Sequence, residues 1–203
     1  AISRLNKHGI FDSSFGINGT VNIHIGEELI SPLQNTLTLQ PDGKLLVACI
    51  YYPLKAYNKP GATIVFRFKQ NGSIDNSFHN VGYNINISHS PAGGAFKTPL
   101  GLLSNNKIIF TRTYGSIAEL NKDGSINLSF ADSGTITGKQ TIYQGQDVEE
   151  AFYNIHVLSN DKFMFLGSFD EANYDGGGHI TNKIYKFKKN GQLDNSFNSI
   201  GKI

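Results

Sequence analysis

The same twelve-residue stretch returns four times along the chain, and a chain built on such a repeat folds as an array of equivalent units. The copies occupy residues 4–15, 67–78, 119–130 and 186–197. Each carries a glycine at its sixth position (Gly9, Gly72, Gly124 and Gly191) and an Asp or Asn three residues on (Asp12, Asp75, Asn127 and Asp194). A serine follows two residues later, and the unit closes on Phe15, Phe78, Phe130 or Phe197. The glycines fit a hairpin turn that needs positive φ, helped in three copies by a preceding Asn or Asp. The Asp or Asn, with its serine, can bond nearby backbone N–H groups and set a second turn. The phenylalanines are large apolar anchors. These positions are expected to be scaffold, because repeated residues are most simply explained by repeated packing.

A second unit alternates with the first. Residues 37–47, 100–110 and 155–165 each read as a short apolar strand, a polar turn and a bulky strand, with Lys44, Lys107 and Lys162 in register. Successive anchor phenylalanines lie 63, 52 and 67 residues apart. That is long for a helical repeat and suits a four-stranded propeller blade with loops of variable length. The expected fold is all-β, a propeller-like array of four-stranded antiparallel blades. Residues 1–21 form a half-blade, and residues 22–84, 85–137 and 138–203 form three complete blades within one domain.

Composition narrows the function classes. Charged residues are 17% and the net charge is +2, too weak a field for nucleic acid or an anionic membrane by bulk electrostatics. Cys49 is the single cysteine, which excludes an intrachain disulfide and multi-cysteine metal sites, and its strand context suits a small buried apolar residue. No apolar run is long enough to span a bilayer as a helix. The first residue is Ala1 rather than Met, as in a processed product or a fragment.

Three stretches stand outside the repeats. Residues 51–61 form the expected middle loop of the first blade, with Tyr51, Tyr52, Tyr57, Lys55 and Lys59; two prolines there break regular strand. Residues 140–152, with Asp147, Glu149 and Glu150, read as a longer linker with one short helical turn. Residues 169–179 form the expected middle loop of the third blade, with Asp170, Tyr174, Asp175 and His179. In a propeller the two middle loops share one rim. Tyrosines with polar neighbours suit sugar or protein recognition there, against the simpler expectation that they shield the sheet ends. Asp170 and Asp175 offer oxygen ligands beside a glycine turn, a faint calcium pattern without the downstream bidentate acid; no other cofactor is expected.

No nucleophile elbow, zinc-protease helix, P-loop or dinucleotide fingerprint occurs, and the six histidines are scattered without ligand spacing. No catalytic residue is assigned.

The alternation of the stretch at 39–48 with the arginine-led unit ending in D-x-S-F resembles the delta-60 repeat, a β-propeller repeat of bacterial secreted and surface proteins. The resemblance covers nearly the whole chain and implies a propeller fold and an extracellular or cell-surface setting. It carries no catalytic motif. His79 and Ala131, where the first copy has Gly16, and Asn127, in place of Asp, depart from the pattern. The unit also slightly resembles the Asp-box hairpin of sialidase-like propellers, but the arginine cluster of such enzymes is not apparent.

Three and a half blades do not close a ring, and an open blade leaves a sheet edge and an apolar face uncovered. The leading expectation is therefore a non-enzymatic structural or adhesive module that self-associates through its N-terminal half-blade. A lectin-like module binding a glycan or a surface protein through the two loops is the alternative, and a sialidase-like or lyase enzyme the third reading. No nucleic-acid partner and no membrane insertion are expected.

Overall fold

Residues 45–50, 62–68, 108–111 and 117–120 are strand stretches buried on both faces, and that decides the architecture. A computed structural model describes residues 1–25, 29–52, 62–87, 98–112, 116–131, 133–137, 140–143, 146–149, 151–171 and 179–203. For 29–35, 51–52, 86–87, 140–143, 146–149, 151, 153, 168–171 and 179–181 it describes the backbone alone. The described residues form antiparallel sheets without a helix.

Strands β1 (Ile2–Ser3) and β2 (Thr20–Val21) pair as a two-stranded sheet. Strands β3 (Leu29–Leu39), β4 (Leu45–Tyr52), β5 (Ala62–Phe68) and β6 (Tyr83–Ile87) follow one another as a four-stranded meander. Strands β7 (Leu100–Leu102), β8 (Ile108–Thr111), β9 (Ile117–Leu120) and β10 (Thr135–Ile136) make a second. Strands β11 (Gln140–Tyr143) and β12 (Gln146–Glu149) pair antiparallel. Strands β13 (Ala151–Val157), β14 (Phe163–Glu171) and β15 (His179–Phe187) form the last sheet, and a bridge from Tyr185 to Lys202 starts a fourth strand along its edge.

Alternation along the central strands assigns side chains to two cores at once. On β4, Leu45, Val47 and Cys49 join a core with Phe15, Phe66 and Phe68, while Leu46 and Ala48 join the next core with Phe78, Phe110 and Leu120. On β8, Ile108 and Phe110 face that same core, while Ile109 turns to a third with Phe130, Phe163 and Phe187. The two four-stranded sheets are thus each packed between neighbours, face to face, in the manner of propeller blades. Cys49 is fully buried as expected, and burial pushes its thiol up to about 12.

The repeat glycines all take positive φ, from 76° to 88°. The turn is a three-residue loop: the Gly9 N–H donates to the Asn6 carbonyl at 3.0 Å and the Asn6 N–H to the Ile10 carbonyl at 2.8 Å. His79 and Ala131, which depart from the pattern there, hold φ of 50° and 52° in the same left-handed region as Gly16.

Three expectations are corrected. Residues 140–143 and 146–149 pair as strands β11 and β12, not as a linker with a helical turn, because Gln140 to Tyr143 pair in order with Glu149 to Gln146. Tyr51 and Tyr52 belong to strand β4, with Tyr51 opposite Ala62. Phe169, Asp170 and Glu171 continue β14, opposite Thr181, Ile180 and His179, so strand runs three residues into the expected loop.

The glycine column yields a testable contrast. A Cβ on Gly124 would meet the Phe78 ring at 2.8 Å, whereas one on Gly9 meets nothing within 4 Å. Both replacements strain a positive φ, but only the first also collides. Gly124→Ala is expected to cost about 2–4 kcal/mol and Gly9→Ala about 1 kcal/mol, read from urea midpoints at constant m-value.

Candidate functional site

The chemistry-bearing side chains collect where one unit meets the next. In the second unit the Asp75 N–H donates to the Arg67 carbonyl at 2.9 Å, and the Phe78 N–H to the Asp75 carbonyl at 2.9 Å. One Asp75 carboxylate oxygen accepts from the Ser77 N–H at 3.2 Å and from its hydroxyl at 2.7 Å. The other accepts from Arg67 Nε at 2.7 Å. The same guanidinium donates to Ser77 Oγ at 2.9 Å, lies over the Phe78 ring at 4.7 Å, and donates to the Lys122 carbonyl of the next unit at 2.6 Å. Arg67 therefore satisfies its fork, shields an aromatic face and ties two units together. The first unit repeats the arrangement: Arg4 pairs with Asp12 at 3.0 Å, lies over Phe15 at 4.8 Å, and donates to the Gln70 carbonyl at 2.6 Å.

The lysine column closes the pattern from the neighbouring strand. Lys44 Nζ lies 3.3 Å from Asp75, and Lys162 Nζ lies 2.7 Å from Asp194. In the third unit the charges are exchanged. Glu119 stands where the others have Arg or Lys, Asn127 stands in place of Asp, and the Asn127 amide donates to Glu119 at 2.5 Å. Lys107 pairs with Glu119 at 2.8 Å. One carboxylate is retained in every unit, but it changes strand. Two carboxylates so close would repel, so the Arg-to-Glu and Asp-to-Asn exchanges belong together.

Units are also joined through the backbone. The Gly16, His79 and Ala131 N–H groups donate to the Asn71, Asp123 and Asn190 carbonyls at 2.8, 2.6 and 2.9 Å. Phe15, Phe78 and Phe130 each lie against the turn glycine of the following unit: Gly72, Gly124 and Gly191.

Electrostatics follow from these contacts. Burial works against the Asp75 carboxylate, but the Ser77 hydroxyl, Arg67 and Lys44 outweigh it and hold its pKa at about 2. At Asp194 the Lys162 ammonium, then the Ser196 hydroxyl, bring it to about 2. A polar cleft of about 260 Å³ opens beside the second junction, lined by Gln40, Asp42, Lys44, Arg67, Lys122 and Asp123 among others. Its Lys44 and Arg67 are both engaged by Asp75, so neither is left as a free acid, base or anion ligand.

Of the recognition residues expected from sequence, Tyr57, Tyr174 and Asp175 lie outside the described residues. Tyr51, Tyr52, Asp170 and His179 are described as strand backbone only. The expected calcium pattern thus falls partly outside the description, and among the described residues no group of three His, Cys, Asp or Glu is placed to hold a metal. Of the repeat anchors, Phe15, Phe78 and Phe130 lie against Gly72, Gly124 and Gly191, whereas a Cβ on Gly9 would meet nothing within 4 Å and Phe197 is only half-buried. Sequence reasoning missed the leading column of Arg4, Arg67, Glu119 and Lys186. The concerted exchange at 119 and 127 was its visible signal.

These features define a class, a repeat-built, propeller-like β domain whose charged groups fasten its units. The comparisons agree at that level. Residues 40–78 match the family described as a domain of unknown function (DUF5122) beta-propeller, a span from the turn before β4 to the anchor Phe78. A solved structure described as an unknown function protein from Dyadobacter fermentans DSM 18053 superposes with a TM-score of 0.52 over 81% of this chain, at 9% identity. At that identity the likeness concerns the fold, and the chain spans 53% of that structure's length. No curated protein matches.

Two predictions follow from the ion pairs. Asp75 and Asp194 titrate below the ordinary carboxylate value of about 3.9, so their stabilisation is complete above about pH 4. It is lost as pH falls through the folded value of about 2. Unfolding free energy is expected to decline across that window, and less steeply in Asp194→Asn. Second, Asn127→Asp alone sets two carboxylates together and Glu119→Arg alone leaves cations uncompensated, each costing about 2–3 kcal/mol. The double variant recreates the pair of the second unit and is expected to recover at least about 1 kcal/mol over additivity. A thermodynamic cycle by urea unfolding checks it.

Proposed function

We propose that this chain is a non-enzymatic β-propeller module of delta-60-repeat type, secreted or displayed at a bacterial cell surface, that serves a structural or adhesive role by self-association. The observation that carries the reading is the fate of its polar chemistry. In the described units the charged side chains of the repeat itself are engaged in structural pairs: Asp12 with Arg4, Asp75 with Arg67, Glu119 with Lys107 and Asp194 with Lys162. The array meanwhile ends on uncovered apolar side chains, including Leu5, Phe11, Leu166 and Ile184. Apolar surface of this kind on a sheet face favours association. A module of this type needs neither cofactor nor nucleic acid.

Light scattering after size exclusion tests the reading. The expected outcome is a mass above the 22.2 kDa of one chain that rises with protein concentration. A constant single-chain mass up to about millimolar concentration would sink it.

A further inference from the structure

The two ends of the array are the two halves of one junction. Within the chain that junction is built three times, always the same way. The anchor phenylalanine of one unit packs on the turn glycine of the next, and the N–H after the phenylalanine donates to the carbonyl before the glycine. At the ends each half stands alone. Phe15, Phe78 and Phe130 are buried, whereas Phe197, which among the described residues has no turn glycine against it, is only half-buried. Gly72, Gly124 and Gly191 each have a phenylalanine ring against them, whereas the space beside Gly9 is open to 4 Å.

The surroundings match as well. Phe68, Leu120 and Phe187 are buried, but Leu5, at the same place in the first unit, is 54% exposed. Ile74 and Ile126 pack against cores, and the equivalent Leu193 is 37% exposed, but Phe11 is more open still at 57%. At the other end, Leu46, Ala48 and Val65 of the first four-stranded sheet are fully buried, while Leu166 and Ile184, equivalent to Ala48 and Val65, are each 36% exposed.

We infer that a second copy of this chain docks head to tail, seating its N-terminal unit on the C-terminal unit of the first. This deepens the self-association reading above and rests on it. Phe197 of one copy packs on Gly9 of the next, between Leu5 and Phe11. The Asn198 N–H donates to the His8 carbonyl, as Gly16, His79 and Ala131 do within the chain. Asn198 is already in the left-handed conformation this requires, with φ of 47° against 60°, 50° and 52°. Lys186, which lies 5.7 Å from the Phe197 ring, takes the place of Arg4 and Arg67 and reaches the Lys7 carbonyl. Two different surfaces meet, so the contact is heterologous, and repeated docking yields a ring or a filament.

A disulfide between single variants reads the register directly. In the intrachain junction a Cβ at Gly191 would lie 3.1 Å from the Ala131 Cβ. The equivalent pair between copies is Gly9 and Asn198. Cys49 is buried and supplies no competing thiol. Gly9→Cys and Asn198→Cys chains, mixed under an added thiol oxidant, are expected to give a 9–198 cross-linked dimer at least tenfold above either variant alone. Phe197→Ala and Phe11→Asp in the otherwise native chain are each expected to weaken association at least tenfold by light scattering. If the native chain associates but no 9–198 link forms, or both substitutions leave the mass unchanged, head-to-tail docking is wrong and another face associates. Links of 9–9 or 198–198 would likewise overturn it. A native chain that stays a single chain throughout sinks both this inference and the self-association reading.

Discussion

A phenylalanine ring lying on a glycine that has no side chain holds this array together, and the rest of the structure is arranged so that the ring can reach it. The glycine must sit in a turn with positive φ, which fixes the three-residue hairpin loop. The ring must project from a second turn, which the Asp or Asn and its serine fold by accepting and donating locally. The residue after the ring must then enter the left-handed region for its N–H to meet the next turn. Gly16 does so freely. His79, Ala131 and Asn198 do so against their side chains, at a cost of order 1 kcal/mol each. The first two are held there by the hydrogen bond and the packing they complete.

The charged cluster solves a second problem at the same place. A carboxylate that folds a turn is brought out of water, and a buried charge must be paired. Arginine does this with one plane that also covers the phenylalanine and reaches across to the next unit. The lysine from the adjacent strand adds a second cation in the complete sheets. The first unit lacks that strand pair, and its Arg4 and Asp12 stand correspondingly more open to solvent.

Much of this is written in the chain. The turn glycines, the Asp-x-Ser-Phe spacing and the lysine column are local signals with a fixed period, and they place the sheets and the anchors. What was not legible depended on partners distant in sequence. Strands β11 and β12 carry Thr141, Ile142, Tyr143 and Val148, but the acidic Asp147, Glu149 and Glu150 read as linker. Tyr51 and Asp170 read as loop because prolines and glycines follow them, yet strand pairing carries to the last residue that finds a partner. The arginine column was present in the repeat, but its role is defined only by a carbonyl in the following unit. The recognition loops themselves, with Tyr57, Tyr174 and Asp175, fall outside the described residues.

The exchange of Arg for Glu at 119 divides the junctions by the kind of force that closes them. The second is tied by a guanidinium and by the Asn84 amide, which donates to the Gly124 carbonyl at 2.7 Å. The third has Glu119 at that position and closes on a ring-rich core, where Phe130 of one unit meets Phe163 of the next sheet at 6.1 Å. Attraction between rings excluded from water weakens on cooling, whereas directional polar contacts do so far less. Chilling therefore loosens the array unevenly, and the third junction is the one that cold reaches first.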